Sequence, residues 1–297
     1  MKSDQISKTA AFLAIKFYGL TRIPAFRNLF DDSVITFYDR MVAHLPAPLC
    51  YYHYWLKFSW IRKLYLWSEE LLLPGDLLHV IARKWYIRQQ IASHKKEGYE
   101  QIIVLGAGFD DLSYSFAQKG WDCFEIDVPK MADYKRDFLN RCYSTNKIPD
   151  VLGCYLTNSN PHLPFKESAI DPHKKTIIVA EGFFDYVTTD LTKQILSQIN
   201  QYFEPAPLLI TTHFALDELP AHHRWTFEIG VKSVGEQLQL HKSIDAFRNL
   251  LSEHDFNIEK QYDRASVSSE LQLHTGTSLS VLKGFYVLVA RQLQQVT

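Results

Sequence analysis

From residue 101 onward the chain alternates short apolar runs with amphipathic stretches. The apolar runs at 101–106, 121–127, 151–156, 176–181, 207–213, 256–262 and 281–290 have the length of strands. Most are separated by segments with apolar residues at three- and four-residue spacing. The clearest is VPKMADYKRDFLNRCYS from Val128, with Pro129 in the first turn, where a missing N–H is harmless. Strands alternating with helices predict a mostly parallel, seven-stranded sheet covered on both faces. The connection ASVSSELQLHTGTSLSV shows no evident helix, so the last two strands are expected to form an antiparallel hairpin. The first hundred residues differ. LFDDSVITFYDRMVAHL (29–45) and GDLLHVIARKWYIRQQIASHKKEG (75–98) have helical periodicity, with Asp31 or Asp32 as a cap and Gly98 as a stop. We expect residues 1–98 to form a helical cap and 99–297 an α/β core. The long connection at about 214–245 is expected to be a lid.

Composition narrows the function. With 32 basic and 33 acidic residues the net charge is −1, so no global field attracts nucleic acid or an anionic membrane. Cys50, Cys123, Cys142 and Cys154 are widely spaced and form no metal or disulfide pattern. The N-terminal apolar patch is broken by Lys16, and nothing reaches the ~18 apolar residues of a membrane span. A cytoplasmic protein is expected. One run stands apart: YYHYWLKFSWIRKLYLW (51–67) holds eight aromatics, too many for one helix face. It reads as the packed interior of the helical cap, as a lid over an apolar or aromatic substrate, or as a membrane-surface contact aided by Lys57, Arg62 and Lys63.

The chemistry centres on IIVLGAGFDDLSYSFAQKGWDCFEID (102–127). An apolar run, a Gly-x-Gly turn, a helix and a second apolar run ending in an acid open a nucleotide-binding β-α-β unit. Gly106 and Gly108 let a ligand approach the backbone, and Asp127 lies where an acid accepts hydrogen bonds from ribose hydroxyls, with Glu125 as the fallback. A dinucleotide fits poorly. Its third glycine would fall at Asp111, and the pair Asp110-Asp111 would repel a pyrophosphate at a helix N-terminus. S-Adenosylmethionine, with a sulfonium and no phosphate, suits an acidic turn better.

The ordered runs QIIVLGAGFDDLSY, FEIDVPKMADYKRDFL and TIIVAEGFFDYVTTDLTKQIL resemble the leucine carboxyl methyltransferase family and its bacterial small-molecule O-methyltransferase relatives. LFDDSVITF (29–37) and Arg83 extend the likeness more loosely. The resemblance implies a class I methyltransferase fold, Rossmann-like with the last strand antiparallel, and makes 99–297 the S-adenosylmethionine-binding core. It also implies that Arg83 holds the cofactor carboxylate, Gly106 and Gly108 its amino acid portion, Asp127 the ribose and Glu181 the ammonium. Leu156 would flank the adenine. Relatives carry Asp-Leu where this chain has Tyr155-Leu156, so Asn158 or a stacked Tyr155 would replace the usual contact to the adenine amino group. Asp111-Leu112 replaces the family's Thr-Arg, and Ser33 its proline.

Methyl transfer depends chiefly on positioning the acceptor oxygen. A carboxylate needs no base, whereas a phenol or alcohol benefits from one. His213, ending the fifth strand, and Tyr186, near Glu181, are the candidate catalytic residues, with His222, His223 and Arg224 in the presumed lid. Neither the histidine pair nor the cysteines have metal-ligand spacing. The expected activity is O-methylation of a hydroxyl or carboxylate on a small, apolar or aromatic metabolite, yielding S-adenosylhomocysteine. The alternatives are methylation of a protein C-terminal carboxylate and a non-catalytic binding or scaffold protein on the same fold.

Overall fold

The computed structural model describes residues 6–144, 147–233, 238–240 and 242–292, without the side chains of 231 and 233. The ends of the expected cap and core, and residues 234–237 and 241 of the expected lid, lie outside them. Among the described residues, six α-helices precede the sheet: α1 (Lys8–Leu20), α2 (Pro24–Arg27), α3 (Asp32–His44), α4 (Tyr51–Trp55), α5 (Ser59–Leu72) and α6 (Asp76–His94). Strands β1 (Gln101–Leu105), β2 (Asp122–Asp127), β3 (Asp150–Gly153), β4 (Thr176–Ala180), β5 (Leu208–Phe214), β6 (Phe256–Tyr262) and β7 (Phe285–Gln292) fall on the seven apolar runs. Helices α7 (Leu112–Ala117), α8 (Pro129–Tyr143), α9 (Thr189–Tyr202), α10 (Ala221–Ser233) and α11 (Ile244–Ser252) connect them.

The sheet order is β3-β2-β1-β4-β5-β7-β6. β1 to β5 pair in parallel, and β7 runs antiparallel to both β5 and β6. Side-chain alternation splits the strands between two cores. Ile102 and Val104 of β1 join Phe17, Phe37 and Ile81 from α1, α3 and α6 on one face. Ile103 and Leu105 join Ile195 and Phe247 from α9 and α11 on the other. Both faces are therefore covered, which is why the central strands read as continuous apolar runs.

One expectation is corrected. The β6–β7 connection is not helix-free: residues 264–275 are helical, with a π-helical stretch at Val267–Gln272. Asp263 caps this segment, accepting from the backbone N–H of Ala265 at 2.9 Å and of Ser266 at 3.1 Å. Only Val267 and Leu271 are buried along it, and a seam of two residues is too short to stand out as periodicity.

Helix α6 is unusual because it buries charge as well as apolar surface. Asp76, Arg83 and Lys84 all lie inside the molecule. Lys84 pairs with Asp110, and Arg88, one turn on, pairs with Asp111, which also accepts from the hydroxyl of Ser115. These contacts fasten α6 to the turn after β1. Asp111 has no exposed surface, so Arg88→Met is expected to destabilise the fold by about 3–5 kcal/mol, the cost of stranding one partner of a buried pair. Urea unfolding should show this loss, and much of it should be regained in Arg88→Met/Asp111→Asn.

Candidate functional site

A cavity of about 1310 Å³ opens over the carboxyl ends of the parallel strands, where open α/β sheets bind their ligands. Its floor is the turn after β1. Gly106 has φ 64°, and a β-carbon there would stand 2.8 Å from the Phe183 ring, so only glycine fits. Gly108 (φ 51°) donates its N–H to Asp127 Oδ2 at 2.7 Å. The other oxygen of that carboxylate accepts from Val128 N, also at 2.7 Å. Asp127 is thus held rigidly against the glycine turn.

Opposite it, α6 brings Arg83 Nε to 2.7 Å from Glu181 Oε1 at the end of β4. The N–H is not aimed along this contact and Nε counts no hydrogen-bond partner, so the interaction is an ionic contact without hydrogen-bond geometry. Thr212 Oγ1 accepts from Gly182 N at 2.7 Å and fixes the turn that presents Glu181. Arg83, Gly106, Gly108, Asp127, Tyr155, Leu156 and Glu181, the residues singled out for a cofactor, all line this one cavity, and Tyr186 does too. Asn158 also lines it, but its Oδ1 already accepts from the Thr188 hydroxyl at 2.7 Å.

His213 is not at the cavity. Along β5 alternate side chains turn to opposite sides, and it is Thr212 and Phe214 that reach the cavity wall. His213 is fully buried behind them, stacked on Phe247 with ring centroids 4.3 Å apart. Its Nδ1 lies 3.1 Å from Asp185 Oδ1 and its Nε2 lies 2.9 Å from the Lys242 carbonyl. It therefore pins the chain following α10, whose Gln239 N–H donates to the Asp185 carbonyl at 2.9 Å. Glu125 is likewise inside the protein, 2.8 Å from Lys135 and bonded by the Ser113 hydroxyl. Burial pushes its carboxyl up, and Lys135 offsets only part of that. His222, His223 and Arg224 do not line the cavity, although Thr226 and Phe227 of the same helix do.

The acid pair after the glycine turn also faces away from the cavity. Burial alone would raise both carboxyls. Lys84 and Arg88 outweigh it at Asp110, which is held well below the usual carboxylate range. At Asp111 burial prevails over Arg88, and the charge of Asp110 adds to the upward shift. Because Lys84 and Arg88 pair with these acids, the turn does not present two free negative charges to a ligand.

A second polar group in the cavity had no signal in the sequence. Lys16 of α1 pairs with Asp76 and lies 2.7 Å from Glu69 Oε2. His79 Nδ1 lies 2.8 Å from the Asp76 carbonyl and 3.1 Å from its Oδ1. Both partners accept, so Nδ1 carries the hydrogen, and the buried Nε2 has no partner. Burial lowers the His79 pKa despite the bond to Asp76. All four residues line the cavity, next to Phe214 and Phe285. Lys16 comes from α1, Glu69 from α5 and Asp76 and His79 from α6, and only the i, i+3 spacing of Asp76 and His79 was available to a reader of the sequence.

Residues 69–200 match the leucine carboxyl methyltransferase family, which bears out the resemblance carried by the motifs over that segment. The looser likeness at 29–37 lies outside it. A protein of Mycolicibacterium paratuberculosis, named as a candidate S-adenosyl-L-methionine-dependent methyltransferase, is 27% identical over 124 residues, 40% of each chain. The matched segment thus spans well under half of that relative. Among solved structures, a candidate methyltransferase from Thermobifida fusca YX is similar at TM-score 0.56 and 13% identity, covering 86% of this chain and 94% of that one. A DUF574-family protein from Streptomyces avermitilis MA-4680 is similar at TM-score 0.54 and 12% identity, covering 78% and 91%. At these identities the likeness establishes the fold, which is that of class I methyltransferases.

The Lys16–Asp76–His79 cluster predicts an acid-sensitive stability. Burial alone would push the Asp76 carboxyl up, but Lys16 and His79 outweigh it and hold it well below the usual range. A carboxyl with a depressed folded pKa stabilises the protein fully above its unfolded pKa of about 3.9 and loses that contribution as pH falls further. Between about pH 5 and pH 3 the melting temperature of the wild type should therefore fall more steeply than that of Asp76→Asn, as read by scanning calorimetry.

Proposed function

We propose that this chain, which carries the leucine carboxyl methyltransferase pattern over residues 69–200, is an S-adenosylmethionine-dependent O-methyltransferase. Its acceptor is a hydroxyl or carboxylate of a small, apolar or aromatic metabolite. The observation that carries the reading is the facing pair Arg83 and Glu181 beside the Gly106–Gly108 turn and Asp127. An amino acid zwitterion is the ligand whose two charges match such a pair, carboxylate to guanidinium and ammonium to carboxylate. Asp127 would accept from the ribose hydroxyls, while Leu156 and Tyr155 would flank the adenine. When bound, S-adenosylmethionine supplies a methyl group made electrophilic by the adjoining sulfonium.

The cavity exceeds the ~300–1,000 Å³ usual for one drug-sized ligand, which suits a cofactor and an acceptor held together. Phe12, Leu13, Leu73, Phe214, Phe227 and Phe285 supply apolar wall beyond the cofactor residues. Such walls orient a greasy acceptor and exclude water from the transfer. A carboxylate acceptor needs no base here. For a hydroxyl acceptor the base candidates at the cavity are Tyr186 and His79, the latter favoured because Asp76 fixes its hydrogen on Nδ1 and leaves Nε2 with a lone pair.

Calorimetry with S-adenosylmethionine and S-adenosylhomocysteine tests the reading. Binding is expected for both, weakened about 10- to 100-fold by Glu181→Gln, the range for losing one charge-assisted hydrogen bond. Mass spectrometry of reactions with phenols, carboxylic acids and peptides would then identify the acceptor. Absence of binding refutes the proposal, a methylated peptide terminus moves it to the protein-carboxylate alternative, and binding without turnover on any acceptor favours the non-catalytic one.

A further inference from the structure

Of the aromatic run at 51–67, Tyr52 and Tyr65 pack against the core, but the other six aromatics are exposed. Trp60, Leu64, Trp67 and Leu71 follow one another at intervals of four, three and four residues along α5, and all are exposed, Trp60 at 67% and Trp67 at 61%. Tyr54 and Phe58 continue the same run from α4 and its C-terminal turn, Tyr54 at 62%. Large apolar side chains gathered at this density are rarely left to water in a monomer and mark a surface that meets something apolar.

The charges say what that partner is. Residues 51–67 contain Lys57, Arg62 and Lys63 and no acid. Lys57 and Lys63 are exposed and make no ion pair among the described residues. Arg62 donates to the Leu56 carbonyl at 2.9 Å and so holds the corner between α4 and α5. The next two acids are engaged elsewhere: Glu69 lies 2.7 Å from Lys16, and Glu70 Oε1 accepts from Gly75 N at 3.2 Å and Ser280 N at 3.1 Å. Two copies of this chain meeting patch to patch about a twofold axis would bring the same lysines together with no free acid to offset them. A bilayer containing anionic lipid satisfies both halves, taking the Trp, Tyr and Leu side chains into its interface and the lysines into its headgroups.

We propose that α4 and α5 dock this protein on an anionic lipid surface. The patch adjoins the cavity. Leu72, 60% exposed, also lines the cavity, and α10, whose Thr226 and Phe227 line it too, exposes Trp225 at 66%. Docking would therefore bring the cavity wall at Leu72 close to the bilayer. That an acceptor enters from the lipid rests on the methyltransferase reading; the docking itself does not.

Cosedimentation of the full chain with vesicles of mixed phosphatidylcholine and phosphatidylserine tests it. Binding is expected on mixed vesicles, weaker on phosphatidylcholine alone and weakened by salt, with a blue shift of tryptophan fluorescence. Lys57→Gln/Lys63→Gln should weaken binding about thirtyfold, at roughly 1 kcal/mol per cation. Trp60→Ser/Trp67→Ser should abolish it. Both variants should keep the wild-type melting temperature and the wild-type affinity for S-adenosylhomocysteine, which separates a docking defect from a failure of the cofactor reading. Failure to sediment with mixed vesicles overturns the proposal. So does a concentration-dependent dimer in analytical ultracentrifugation that Trp60→Ser/Trp67→Ser dissolves.

Discussion

The architecture depends on one ladder of ion pairs thrown out by α6. Arg83 reaches Glu181 after β4, Lys84 reaches Asp110 and Arg88 reaches Asp111 in the turn after β1. Taking these charges out of water costs several kcal/mol each unless they meet their partners. The helix can therefore dock in only one register. A rotation that carried one of the cations away from its acid would strand both, and the neighbouring apolar residues of α6 would leave the core with it. The same register that secures the fold delivers Arg83 to the cavity, so the helical N-terminal segment contributes to the floor of the site.

Much of this was legible along the chain, for reasons that differ by element. The central strands were visible because strands of a doubly covered sheet are buried on both faces, and β1, β4 and β5 are buried along their whole length. Gly106, Gly108, Asp127 and Glu181, the residues proposed to hold a cofactor, stood out because they sit in three ordered motifs at strand ends. The helical turn at 264–275 was hidden because its buried face is two residues long. The Lys16–Asp76–His79 cluster was hidden because its members come from helices far apart in sequence and are joined only by packing.

Two residues show where pattern and placement part. His213 is the penultimate residue of a strand whose end meets the cavity, but the pleat turns it to the opposite side, where it pins the segment beyond α10 through Asp185 and Lys242. Asp111 pointed toward S-adenosylmethionine and away from a dinucleotide through an argument the structure supports only in part. It does occupy the position of the third glycine in a dinucleotide fingerprint, and its bulk there is real. Its charge, however, is matched by Arg88 and does not face the cavity. Strand ends place residues reliably along the sheet axis, but the last residue of a strand has two sides to choose from.

The Arg83–Glu181 pair has a consequence for how the cavity responds to its surroundings. A net-neutral zwitterion lodged between the two, as the amino acid end of S-adenosylhomocysteine would be, exchanges one internal ion pair for two and leaves the net charge of the cavity the same before and after. No counterions are gathered or released in such an exchange, so occupancy of the floor is expected to be nearly indifferent to ionic strength. The exposed lysines beside α4 and α5 act through the opposite regime, where mobile ions compete directly. If both proposals hold, the molecule keeps two electrostatic contacts that obey different rules: an inner one that ambient salt barely touches, and an open one that salt tunes.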